Sequence, residues 1–208
     1  MTIAIIDYGM GNVRSLMNAF DYIGEEAHVT ADPDALAAAD RLVLPGVGAF
    51  RDAMAAMNAS GLRPVLDQLA LVDKKPVLGV CLGMQLFARV SHEHGLYEGL
   101  GWLDAEIMPL DVAAPAKVPH VGWNAVSFAA DEWMFKGLPS GESDYYFVHS
   151  FHMVCANPAD RIATTDHGGT VTAAVRRGNL CATQFHPEKS QDNGLQLLQN
   201  WLARDFDA

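Results

Sequence analysis

Three residues of this 208-residue sequence have the side-chain types and spacing for covalent chemistry: Cys81 in Gly79-Val80-Cys81-Leu82-Gly83, and His186 with Glu188 in His186-Pro187-Glu188. A Gly-x-nucleophile-x-Gly run between an apolar strand and a helix is an elbow that holds a nucleophile in a strained turn, its glycines leaving room for the tight backbone. Such a turn exposes the sulfur at the top of a sheet. It also sets the sulfur at a helix N-terminus, which favours thiolate, and aims the Leu82 N–H where an oxyanion would form. The competing reading of Cys81 is a small buried hydrophobe. A cysteine nucleophile needs a base, and the base needs an orienting group. In extended chain, residues i and i+2 project to one side. Glu188 can therefore hold one imidazole nitrogen of His186 and leave the other for Cys81, with Pro187 stiffening the link. Read alone, His186-Pro187-Glu188 is equally a polar surface turn; each motif supplies what the other lacks.

The flanking sequence predicts elements able to position these groups. Ile3–Ile6, Ala27–Thr30, Arg41–Leu44 and the run ending at Gly79 are short, largely apolar segments, as in the strands of a buried parallel sheet. Helical spacing follows each: Val13, Leu16, Met17 and Phe20; a short helix begun by Asp32-Pro33 and containing Leu36; Phe50, Met54 and Met57; Leu62, Val65, Leu66 and Leu69; and a helix after Gly83. This alternation predicts an α/β fold with a mostly parallel central sheet flanked by helices. Ligands of such sheets bind at the carboxyl ends of the strands, where Asp7–Asn12, Pro45–Gly48 and Cys81 converge. The later sequence is β-rich: runs between Gly101 and Val126 broken by prolines, one strong strand from Asp144 to Phe151, and a hairpin of Thr170–Arg176 with Asn179–Phe185 turning at Arg177-Gly178. These form an antiparallel extension in the C-terminal half. A terminal amphipathic helix carries Leu195, Leu198 and Leu202, with Ser190 or Asp192 as its cap. No linker or repeat interrupts the chain, so residues 1–208 read as one domain.

Composition narrows the function classes. A formal net charge of −11 leaves no basic surplus for a nucleic-acid backbone, though it suits a protein partner with a basic face. Three widely spaced cysteines form neither a disulfide framework nor a zinc ribbon, and they fit a reducing, cytoplasmic location. No apolar run approaches the ~20 residues of a membrane span. Gly9-x-Gly11 invites a dinucleotide reading, but Arg14 stands where the third glycine belongs. His92-x-His94 lacks a third metal ligand at a matching spacing. His149 and His152, three apart in one strand, would face opposite ways. No metal and no cofactor is expected. Val118–Asn124 packs aromatic and polar groups together, either at a strand bend with a packed Trp123 or at a site.

Taken together, the elbow Gly79–Gln85 and His186-Pro187-Glu188 resemble the triad of the class I glutamine amidotransferases, and the match spans nearly the whole chain. The segments Asp7–Asn12, Leu44–Phe50, Pro119–Asn124 and Tyr146–Ser150 are similar, within that family, to the glutaminase subunits of imidazole glycerol phosphate synthase. Val121 departs from that pattern, where a methionine is expected. The resemblance implies a flavodoxin-like fold and a glutaminase with Cys81 as nucleophile, His186 as base and Glu188 as its orienting group. It implies an oxyanion site made by the Leu82 N–H and the Val47–Gly48 loop, and glutamine contacts at Gly46, Gln85, Glu93, His149 and Ser150. Asn12, Trp123, Tyr146 and Lys189 would meet and gate a partner. That partner would be a (β/α)₈-barrel cyclase subunit receiving ammonia in a heterodimer that serves histidine biosynthesis. Glutaminases of other synthases, a silent binding subunit on the same scaffold and a γ-glutamyl peptidase fit these segments less well.

Overall fold

The structure, a computed structural model, describes residues 1–139 and 141–206. The first half alternates strands and helices: β1 (Ile3–Ile6), α1 (Val13–Tyr22), β2 (Ala27–Thr30), α2 (Pro33–Ala38), β3 (Arg41–Leu44), α3 (Phe50–Ser60), α4 (Arg63–Asp67), β4 (Val77–Val80) and α5 (Leu82–Leu86). Strands dominate the second half: β5 (Val90–Ser91), β6 (Tyr97–Glu98), β7 (Ala105–Pro109), β8 (His120–Phe128), β9 (Glu142–His149), β10 (Phe151–Cys155), β11 (Arg161–Asp166), β12 (Thr170–Arg177) and β13 (Leu180–Thr183), before α6 (Gln191–Ala203).

Nine strands form the large sheet in the order β2-β1-β3-β4-β13-β12-β11-β8-β9. The five strands from β2 to β13 are parallel to their neighbours, and the rest continue antiparallel. The central parallel strands are largely apolar and fully buried because helices cover both faces, whereas the outer strand β2 is only partly buried. Successive residues project to opposite sides, so Ala4, Ile6, Leu42 and Leu44 join a core with Phe50, Met54 and Leu66 of α3 and α4. Ile3, Ile5, Val43 and Leu78 face the other way, onto Leu16 and Phe20 of α1 and Leu197, Leu198 and Trp201 of α6. Each of these fully buried large side chains contributes about 1.5–3 kcal/mol by leaving water.

Several local expectations change in the structure. The helix expected from Leu62, Val65, Leu66 and Leu69 is α4 followed by a π turn at Gln68–Val72. The elbow strand extends to Val80, and its helix begins at Leu82 rather than after Gly83. The run from Asp144 to Phe151 is two strands, broken at Ser150. β10 leaves the large sheet and joins a second one, ordered β10-β7-β5-β6. His149 and His152 are thus in different sheets, rather than on opposite faces of one strand. Ser190 stands at the N-cap of α6 without capping it: its hydroxyl donates to the His186 carbonyl at 2.6 Å and accepts from the Tyr146 N–H at 3.0 Å. No helix among the described residues is long and apolar enough to cross a membrane.

Candidate active site

The carboxyl ends of β1, β3, β4 and β13 lie side by side in the sheet, so the four loops that follow them meet at one edge. Cys81 occupies the turn between β4 and α5 with φ 55° and ψ −111°. A β-strand continuing directly into a helix requires such a reversal, and for a non-glycine residue it stores strain. The elbow tolerates no bulk around that turn: a Cβ on Gly83 would lie 1.9 Å from the Leu44 carbonyl oxygen, and one on Gly46 would lie 2.8 Å from the Gly83 nitrogen. The loop after β3 is therefore pressed against the start of α5. Tyr8 ties the loop after β1 to the same place, its hydroxyl donating to the Pro45 carbonyl at 2.8 Å. Burial, helped by nearby Cys81, pushes the Tyr8 phenol well above its ordinary pKa, so it stays a donor.

β13 delivers His186 and Glu188 beside Cys81. His186 Nδ1 and Glu188 Oε1 are 2.8 Å apart, both side chains 2% exposed. The i, i+2 pairing occurs within the Pro187–Lys189 3₁₀ turn, for which His186 is the N-cap. Burial works against the imidazolium of His186, but the Cys81 sulfur and the Glu188 carboxylate outweigh it and lift its pKa to about 9. The His186 Nε2 is buried and makes no hydrogen bond of ordinary geometry; its coupling is to the sulfur. The Cys81 sulfur lies 3.9 Å from the Val148 carbonyl oxygen and 3.9 Å from Gln184 Nε2. This arrangement can deprotonate a thiol, attack a carbonyl and return the proton to a leaving nitrogen.

A cavity of about 590 Å³ opens over the sulfur, lined by Val47, Gly48, Cys81, Leu82, Gln85, Glu93, His149, Ser150 and His186 among others. The structure thus gathers the residues named for oxyanion and glutamine contacts around one space, with Gly46 packed behind it. Two have duties the sequence did not reveal. Glu93 Oε2 accepts from the Phe50 N–H at 2.7 Å, capping α3, whose N-cap Ala49 has no side chain able to do so. Gln85 commits its amide nitrogen to the Phe151 carbonyl and to Gln184 Oε1, both at 3.0 Å.

The residues named for a partner also assemble. Asn12 caps α1 through the Ser15 N–H. α1 packs on the Pro187–Lys189 turn, that turn on β9, and β9 on β8, so the elements that carry Asn12, Lys189, Tyr146 and Trp123 adjoin one another in turn, with Trp123 and Tyr146 directly paired. Trp123 is not a packed core residue but is 49% exposed, edge-on to Tyr146 at 6.2 Å. Val121 beside it is 55% exposed and pairs across the strands with Val148, 40% exposed. These exposed apolar side chains adjoin one another across β8 and β9, and Val148 also lines the cavity.

Sequence reasoning missed Tyr8, Gln184 and the partners that hold His149 behind the cavity. His120 Nδ1 and His149 Nε2 are 2.9 Å apart, and His149 Nδ1 reaches the Phe151 carbonyl at 2.8 Å. His120 stacks between Phe147 and His167. Burial pulls the pKa of His120 down to about 4 and that of His149 to about 3, so both are neutral. Among the described residues no group of three or more His, Cys, Asp or Glu side chains is arranged to hold a metal ion.

Comparison with known proteins agrees with this geometry. Residues 4–204 match the family Glutamine amidotransferase class-I. The chain is 48% identical over 202 residues to the imidazole glycerol phosphate synthase subunit HisH of Rhodopirellula baltica, covering 97% of each chain. It is 46% identical over 206 residues to the subunit of the same name from Zymomonas mobilis, covering 97% of this chain and 95% of that one. Among solved structures, a glutamine amidotransferase superposes with a TM-score of 0.73 at 18% identity, over 97% of this chain and 99% of the other. PurLQS of Thermotoga maritima gives 0.74 at 18% identity, over 97% of each chain; these two likenesses show the fold. With its sheet, its elbow and almost its full length matched, the chain belongs to the class I glutamine amidotransferase family.

Proposed function

We propose that this chain, working as one domain over residues 1–208, is the glutaminase subunit of imidazole glycerol phosphate synthase in histidine biosynthesis. The observation that carries the reading is the 46–48% identity to HisH subunits over nearly the full length of both chains. Cys81 attacks the side-chain amide carbon of glutamine, and its thiol proton passes through His186 Nε2 to the amide nitrogen. The C–N bond breaks, ammonia leaves, and a γ-glutamyl thioester remains. Water, deprotonated by His186, then attacks the thioester, releasing glutamate and restoring the thiol. Glu188 holds the imidazole and stabilises its charged form. The Leu82 N–H and a peptide N–H of the Gly46-Val47-Gly48 loop receive the oxyanion; losing one such donor typically costs ~10²–10³ in rate.

Gln85 has spent its amide nitrogen on the protein, so it offers glutamine its carbonyl oxygen. Glu93 pairs with the substrate's α-amino group, and the His149–Ser150 backbone holds the carboxylate end. The adjoining elements that carry Asn12, Lys189, Tyr146 and Trp123, together with Val121 and Val148, dock a (β/α)₈-barrel cyclase in a cytoplasmic heterodimer. Ammonia then crosses without being protonated in bulk water. No metal or cofactor enters this scheme.

The test is synthesis by the complex from two nitrogen sources. Cys81→Ser abolishes glutamine-dependent turnover and leaves ammonia-dependent turnover intact. Loss of both together, or glutaminase activity indifferent to the cyclase and its nucleotide ligand, refutes the assignment.

A further inference from the structure

Gln184 has no part in the scheme above, yet it is fully buried at the end of β13, next to Cys81. A buried amide costs free energy unless its polar atoms are matched, and here both ends are engaged: Oε1 accepts from Gln85 at 3.0 Å, and Nε2 lies 3.9 Å from the Cys81 sulfur. The direction of these bonds is fixed by a group that cannot be turned round. The Phe151 carbonyl is an acceptor only, so the Gln85 atom 3.0 Å from it is the nitrogen. That same nitrogen meets Gln184, whose facing atom must then be oxygen. The Gln184 NH₂ is left pointing at the sulfur. The Phe151 carbonyl is open to side chains because β10 is the outer strand of the small sheet and Phe151 forms a non-hydrogen-bonded pair with Pro109, the neighbouring Leu110 N–H going to the Ser150 carbonyl at 3.0 Å, so the Phe151 carbonyl points away from β7. His149 Nδ1–H holds the carbonyl from the other side at 2.8 Å, and His149 is itself held by His120 and, through His120 Nε2, by Asn124.

The sulfur thus has one acceptor and one donor beside it. The Val148 carbonyl, at 3.9 Å, is an acceptor and can serve only an S–H. The Gln184 N–H can serve only a sulfur lone pair, and a donor bonds an anion more strongly than a neutral group. We propose that Gln184 donates to the Cys81 sulfur and stabilises it once its proton has moved to His186, with the amide oriented through Gln85 by the Phe151 carbonyl. The inference rests on Cys81 being the nucleophile.

Two variants test it in the full chain. Gln184→Met removes the donor at similar size. Gln184→Glu keeps an oxygen for Gln85 and turns a second oxygen on the sulfur. Alkylation by iodoacetamide is followed at Cys81 at neutral pH without glutamine, resolved by mass spectrometry from Cys155 and Cys181, alongside glutaminase kcat and KM. Gln184→Met should slow alkylation and lower kcat about tenfold, the effect of one charge-assisted hydrogen bond, with KM within twofold. Gln184→Glu, nearly isosteric, should slow both further. Gln85→Met should slow alkylation as well, since it frees the Gln184 amide to turn. Wild-type alkylation and kcat in folded Gln184→Glu protein overturn the inference, whatever becomes of the methionine variant. If those rates are unchanged while Cys81→Ser abolishes glutaminase activity, only this inference fails. If Cys81→Ser retains activity, the nucleophile assignment fails with it.

Discussion

Replacing Glu188 by glutamine separates charge from geometry at the triad. The amide oxygen can still accept from His186 Nδ1, so the ring keeps its orientation while the anion 2.8 Å away is lost. In the folded chain the imidazole pKa is about 9, against an ordinary 6.5. That difference corresponds to about 3 kcal/mol of folding stability. Because the folded value is raised, the stability is fully present below pH 6.5 and is lost as pH climbs through 9. The Cys81 sulfur and Glu188 share the lift against the opposing effect of burial, so Glu188 accounts for part of it. Above pH 9 the imidazole is neutral, and the carboxylate is a buried charge whose Oε2 makes no hydrogen bond, which is unfavourable. Glu188→Gln should therefore destabilise the chain by on the order of 1–3 kcal/mol at pH 6 and be neutral or stabilising at pH 10. Urea unfolding of variant and wild type at both pH values gives this difference, and other titrating groups cancel in it. Glutaminase kcat at pH 7 should fall about 10²-fold or more, the scale of acid–base assistance. A stability difference that does not vary with pH, together with unchanged kcat, refutes the coupling of Glu188 to the charge on His186.

Three further substitutions probe other levels of the structure. Gly83→Ala places a methyl 1.9 Å from the Leu44 carbonyl oxygen; it should cost several kcal/mol in urea unfolding or yield no folded chain, and a wild-type midpoint would deny the tight elbow. Trp123→Ala, at a half-exposed position, should leave the melting temperature of the free chain within a few degrees and weaken association with the cyclase at least tenfold, as read by titration calorimetry. His149 is held neutral, so the unfolded chain takes up its proton first as pH falls below 6.5; stability should drop by about 1 kcal/mol from this group between pH 6.5 and 5.5, and His149→Gln should flatten that limb of the urea-midpoint profile.

The parts of the fold legible in the sequence were those written locally. β1, β4 and the Leu42–Leu44 part of β3 are apolar runs because both faces of the parallel sheet are covered, and Gly79 and Gly83 are glycines because neighbouring backbone occupies the space of a side chain. The His186–Glu188 pair is visible because two residues of spacing suffice to bring it together. What escaped depends on distant chain. Asp144–Phe151 is one β-prone run, and which sheet each half joins is settled by β8 and β7. β5 and β6 are two residues each, too short to show a period. Glu93 caps a helix that begins 43 residues earlier. Gln184 offered one signal, a polar amide inside an apolar strand end, but its partners Gln85 and Cys81 lie 99 and 103 residues away. Trp123 carried no mark of exposure, because an aromatic residue in a strand reads as core until the layer above it proves absent.

The break at Ser150 has a mechanical consequence. A single residue joins β9, the outermost strand of the large sheet, to β10 of the small one. The chain on either side is clamped into a different rigid plate, and the floor of the cavity is the joint between them. Tilting one plate against the other turns His149, Ser150 and Phe151 as a lever turns at its fulcrum. Torque applied to the outer edge of β9 would therefore reach both the floor of the pocket and, through the bond from the His186 N–H to the Tyr146 carbonyl at 3.0 Å, the triad.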